Sequence, residues 1–195
     1  MGGHSYCGYN VSMTTPIIRP ASEADLSAFF PYLADQLSDN GQHGNPLFQP
    51  MSRSQRGVPP GRIETFTRGV ATPLTQPGWR RLWLALDGDD IHGHIDLRAR
   101  PEPEAAHRCF LGMGVHRDAR RLGLGMALLE MAIDWATANP ALDWIDLEVL
   151  SVNAPARALY RKRGFIQTGE IVDLLRIDGE RHGYVSMSLP LRWTL

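Results

Sequence analysis

The chain has 195 residues, of which 43% are hydrophobic, enough to fill the core of one domain. A formal net charge of −1 and a pI near 6.6 exclude a general affinity for nucleic acid or anionic membrane. Two cysteines, Cys7 and Cys109, cannot make a disulfide framework and fit a reducing, cytoplasmic setting. No apolar run is long enough to span a membrane. The N-terminus lacks the basic start and apolar stretch of a signal peptide.

Residues 1–14 are Gly/Ser/Tyr-rich without periodicity and read as a loose tail, with Met13 an alternative start. The body, 15–195, reads as a single domain. Ile17 to Arg19 suits a short strand. Ser22-Glu-Ala-Asp25 has the form of a capping box and opens a helix through Leu26, Phe29, Phe30 and Leu33, with Pro31 placed to bend it. From Asp39 to Gly61, glycines and prolines forbid a long element. A loop of that length is either functional or a mobile insertion. Arg62 to Ala71 suits a short second helix.

Trp79 to Leu86 and Ile91 to Arg98 read as two strands joined at Asp87-Gly-Asp-Asp90. Alternation puts His92, His94 and Asp96 on one face, and Ile91, Ile95 and Leu97 on the other. A His-x-His-x-Asp face could bind metal, but it lacks an obvious fourth ligand, and no metal is expected. Cys109 to Val115 is an apolar run suited to a buried strand. A basic loop with Arg117, Arg120 and Arg121 follows, then Gly123 and Gly125, then an apolar helical stripe of Leu124, Leu128, Met131 and Trp135. Trp144 to Leu150 suits another apolar strand. Asn153 and Pro155 signal a helix start and Gly164 a stop. Ala156, Leu159 and Tyr160 share one face of that helix, with Arg157, Arg161 and Lys162 on the solvated side. Ile171 to Ile177 and Gly183 to Leu189 form a last hairpin around Asp178-Gly179.

The junction of strand, glycine-bearing turn and helix start suits an anion. Several backbone N–H groups lack partners there, the helix dipole adds positive charge, and glycine permits close approach. A P-loop needs a Gly-Lys-Ser/Thr ending, which is missing. The dinucleotide fingerprint needs a third glycine and an early strand, so a nucleotide-binding protein is disfavoured. The run instead reads R-x-x-G-x-G, Arg120 to Gly125. About thirty residues on, Asn153 lies at a strand end, followed by Ala158-Leu159-Tyr160 and Gly164-Phe165.

These two stretches resemble the GCN5-related N-acetyltransferase superfamily, over Ile91 to Leu189. The resemblance implies an α/β (α+β) fold: a mixed, mostly antiparallel sheet of six or seven strands, flanked by helices and splayed between two central parallel strands. It implies acetyl-CoA as cosubstrate and no metal. Pantetheine would pair with the central strand around Met113 and Val115, where Gly112 and Gly114 would ease a bulge or close approach. Amides from Arg120 through Met126, including Arg121, Gly123, Leu124 and Gly125, would hold the pyrophosphate. Asn153 would contact the pantetheine arm. Tyr160 matches the family's general acid, although a packed aromatic is its plain structural alternative.

Some members carry a carboxylate in the central strand. Counting back from Arg120 puts that position near Cys109, which serves poorly. Glu148, Asp96, His94, His107 and a water chain stay open as base, Glu148 being equally readable as a solvated strand residue. The implied function is N-acetylation of a primary amine, on a small molecule or a peptide, by direct attack. The alternative is a non-catalytic acyl-CoA-binding domain of the same fold. A homodimer is left open.

Overall fold

The computed structural model describes residues 16–192. The expectations for residues 1–14 and for Cys7 lie outside the described residues. The elements are β1 (Ile17–Pro20), α1 (Leu26–Ser38), α2 (Pro60–Ala71), β2 (Arg80–Asp87), β3 (Asp90–Ala99), β4 (Arg108–Val115), α3 (Leu124–Ala138), β5 (Trp144–Leu150), α4 (Ala154–Lys162), β6 (Ile166–Ile177) and β7 (Glu180–Pro190). Seven strands form one sheet in the order β1-β2-β3-β4-β5-β7-β6. Every neighbouring pair is antiparallel except β4 and β5. Among the described residues, no helix is long and apolar enough to cross a membrane.

The capping box forms: the Asp25 carboxylate accepts from the Ser22 amide at 2.7 Å. Pro31 lies inside α1 without ending it. Phe29, Leu33 and Leu37, all nearly inaccessible, pack α1 against β2, and this burial outweighs the lost ladder bond. On the opposite face, α3 buries Leu124, Leu128, Leu129, Ala132, Ile133 and Ala136. The predicted stripe is therefore shifted: Met131 is 36% exposed and lies outside it.

The pairing of β2 with β3 slips between Ala85 and Leu86, so that Ala85 faces Gly93 and Leu86 faces Ile91. This bulge breaks strict alternation. Ile91 packs with the α1 cluster, not with Ile95 and Leu97, which face α3. That corrects the predicted grouping.

Residues 39–59 are fastened at three places. The Asn40 side-chain oxygen accepts from the amides of Phe48 and Gln49, and its nitrogen donates to the carbonyls of Gln49 and Met51. Leu47 is buried against Leu150 and Ile177. Arg53 pairs with Asp178 and Glu180 at the β6–β7 turn. The segment crosses the α1/α2 side of the sheet as a roof over the ends of β5 and β7.

Candidate active site

The parallel pairing of β4 and β5 lasts three residues: Arg108 with Trp144, Cys109 with Ile145, and Phe110 with Asp146. Beyond that the strands part, and Leu111 to Val115 keep only β3 as a neighbour. The His116 amide donates to the His92 carbonyl. In an antiparallel pair the bonded positions alternate, so Gly114 and Gly112 also turn their backbone polar groups to β3. Met113 and Val115 turn theirs into the gap. The Val115 carbonyl accepts there from Arg120 Nε at 3.2 Å.

β4 has no bulge. Its glycines serve side chains instead. A Cβ at Gly114 would stand 1.8 Å from Gln36 Nε2, and one at Gly112 would stand 2.7 Å from Asp96 Oδ1. Of the bulge or close approach expected here, β4 shows close approaches, and they come from α1 and β3.

The loop after β4 makes a 3-10 turn, Arg117–Ala119, and reaches α3 through Gly123, whose φ is 85°. That left-handed conformation suits glycine. The amides of Gly123, Leu124 and Gly125 have no acceptor among the described residues. The amides at the ends of the predicted run are already used: Arg120 donates to Arg117 O and Met126 to Gly123 O.

Most of the basic run is also engaged elsewhere. Arg117 makes a two-pronged pair with Asp35, at 2.8 and 3.0 Å. Arg120 pairs with the buried Asp39 at 2.9 Å and donates to Asn45 Oδ1 at 2.7 Å. Asn45 in turn donates to both Asp39 oxygens. Arg121, at φ 65°, is exposed and is the guanidinium of this run left facing solvent. Asp35 in α1 and Asp39 just after it neutralise Arg117 and Arg120, which leaves Arg121 as the arginine of this run without a carboxylate partner among the described residues.

α4 closes the gap on the other side. A Cβ at Gly125 would lie 3.4 Å from Leu159 and 3.6 Å from Met113. The start of α3, the gap edge of β4 and α4 therefore meet at one point. Asn153 is buried and caps α4, its Oδ1 accepting from the Ala156 amide at 3.3 Å. Its side-chain nitrogen is not used by the cap. Tyr160 is buried beside Phe165, with ring centroids 5.7 Å apart. Burial, reinforced by the nearby Tyr184, pushes its phenol far above the usual value, so it stays protonated. Arg157 is not on a solvated side: it donates to the Ser151 carbonyl at 2.9 Å and is partly buried.

The candidate bases separate clearly. Glu148 is exposed and opens onto a cavity of ≈ 330 Å³ that Phe110, Asp146 and Ser186 also line. Asp96 is buried between Arg80 and Arg98. His94 is buried, edge-on to Phe29, with Nδ1 3.2 Å from the Tyr32 hydroxyl, and burial pushes its pKa down to about 4. His107 precedes β4 at the end where the strands are still paired, which removes it from the gap. Cys109 is buried, its thiol pushed up to about 12 by burial. His94 and Asp96 thus already have protein partners, and among the described residues no cluster could hold a metal.

Sequence reasoning missed Arg62, Arg98 and Tyr184. These stand over the α1/α2 side of the gap, near Asp96 and Glu148. Arg98 follows Asp96 by two on the strand already singled out, and that spacing could have pointed to it. Nothing local marks Arg62 or Tyr184.

The model of the "Acetyltransferase (GNAT) family" matches residues 56–165. Over 108 residues the chain is 30% identical to the L-amino acid N-acetyltransferase AaaT of Escherichia coli, covering 50% of this chain and 66% of that one. Over 106 residues it is 41% identical to the mycothiol acetyltransferase of Clavibacter michiganensis, covering 51% of this chain and 32% of that one. The chain therefore spans less than two thirds of either relative. A phosphinothricin acetyltransferase from Sinorhizobium meliloti, solved with acetyl-CoA, superposes with a TM-score of 0.72 at 21% identity, over 91% of this chain and 89% of that one.

Proposed function

The chain belongs to the acetyltransferase (GNAT) family, and on that premise we propose that it transfers the acetyl group of acetyl-CoA to a primary amine. One observation carries the reading: the unpaired edge of β4 runs straight into a helix start with three free amides. An extended pantetheine arm pairs with Met113 and Val115 as a missing strand would. The amides of Gly123, Leu124 and Gly125, with Arg121, take the pyrophosphate, while Arg120 and Met126 shape the loop. The unused nitrogen of Asn153 donates to the arm.

The thioester supplies the activated acyl carbon. The Met113 amide, pointing into the gap, stabilises negative charge on the carbonyl oxygen. Tyr160, held protonated by burial, donates to the departing sulfur. Glu148 accepts the amine proton through water from the cavity it borders. The amine enters from the α1/α2 side, under the 39–59 roof. The reaction needs no metal, and the cytoplasm is the compartment that fits it.

Calorimetry with acetyl-CoA, followed by thiol release over a panel of amines, tests the reading. Binding with turnover is expected. Binding without release on any amine would leave an acyl-CoA-binding domain, the reading that Cys109, standing where some members have a carboxylate, would favour. Absence of binding would overturn both.

A further inference from the structure

The side of the gap facing α2 carries more positive charge than it neutralises. Arg62, Arg80 and Arg98 surround one carboxylate, Asp96. Asp96 is 2% exposed; Arg80 pairs with its Oδ2, and Arg98 reaches the same oxygen at 3.2 Å. Arg62 comes from the first turn of α2. Its side chain donates to the Gln49 amide oxygen at 3.0 Å and pairs with no carboxylate among the described residues. Burial pulls this guanidinium below its usual pKa, Asp96 opposes that only in part, and Arg98 adds to it. A partly desolvated guanidinium met by one neutral oxygen is costly, and an anion would repay that cost.

The excess charge sits beside the reacting centre. Arg98 Nη1 stands 3.1 Å from where a Cβ at Gly112 would be, one residue before Met113. Tyr184 and Glu148 lie on the far bank. Gln49, which holds Arg62, belongs to the roof, so the roof covers this charge.

We propose that Arg62, with Arg98 beside it, binds a carboxylate of the acceptor, making the acceptor a small amino acid whose reacting amine lies next to that carboxylate. The planar fork of Arg62 matches a carboxylate in two-pronged fashion. The assignment rests on the acetyl-transfer reading above and adds the substrate class to it.

The test uses the full chain with acetyl-CoA and matched acceptors: L-amino acids, their carboxamides, and the corresponding 1-aminoalkylphosphonates. Wild-type kcat/KM is expected to favour the acid over its carboxamide at least tenfold. Arg62→Met should raise KM for the acid at least tenfold with little change in kcat, and should affect the carboxamide far less. Arg62→Lys should restore part of the loss. If Arg62→Met does not fold, the wild-type preference and Arg62→Lys decide. Equal use of acid and carboxamide would overturn the carboxylate site while leaving acetyl transfer intact. Preference for the phosphonate would overturn the carboxylate assignment. Turnover of none of these acceptors would overturn it as well, and acetyl-CoA binding measured on the same sample then shows whether the acetyl-transfer reading falls too.

Discussion

Tyr160 has one property that a proton donor needs: burial that keeps the phenol protonated. Tyr160→Phe removes only the hydroxyl. The expected outcome is a fall in kcat on the order of 10² to 10⁴, the usual range for general acid catalysis, with acetyl-CoA affinity nearly unchanged. Steady-state kinetics and calorimetry check this, and a wild-type kcat would make Tyr160 a packing residue. His94 yields a different prediction. Its folded pKa of about 4 lies below the unfolded value of 6.5. Between these values the unfolded chain binds a proton that the folded one does not, so stability is full above pH 6.5 and falls as pH drops toward 4. The loss is on the order of 3 kcal/mol. Urea unfolding at several pH values should show this slope in the wild type. A His94→Gln variant that kept the same slope would assign it elsewhere.

Local pattern made the elements around the gap legible, and long-range pairing hid the use of their side chains. The central strand, the glycine turn and the Asn153 cap each depend on neighbours within a few residues. Arg117 and Arg120 depend on Asp35 and Asp39, some eighty positions upstream, so their charge looked free for phosphate. Arg62 was invisible for the same reason, since its hydrogen-bond partner comes from the roof and its charged and polar neighbours from β3 and β7. The bulge at Leu86 arises between two strands and has no signature in either one. Two predictions belong to these elements. Gly123→Val puts a branched residue at φ 85°, where phosphate must come close. Acetyl-CoA affinity should drop at least tenfold, about 1.4 kcal/mol, and unchanged calorimetry in a folded variant would sink the loop assignment. Arg120→Ala takes the nearest cation from the buried Asp39, leaving Asn45 and the more distant Arg117. It should cost on the order of 2 kcal/mol and speed hydrogen exchange at the Phe48 and Gln49 amides, since Asn45 anchors the roof through the same carboxylate. Unaltered exchange there would mean that the Asp39–Asn45 contact is not what holds these amides.

Across the whole molecule, a ligand lying along β4 would complete an interrupted sheet. Acetyl-CoA at a hundred times its Kd should stabilise the fold by about 2.7 kcal/mol and slow exchange at the Met113 and Val115 amides. Protection confined to Gly123–Gly125 would place the pantetheine arm elsewhere. The strand order has a consequence for biosynthesis. β7 follows β6 in sequence and is the last strand among the described residues, but it lies between β5 and β6, bonded to both. Until Glu180–Pro190 has been synthesised, β5 has no strand partner beyond three residues of β4, and β6 has none. A premature stop just before Glu180 would therefore remove the bridge between two strands, not a margin. The truncated product is one for proteases and chaperones to clear.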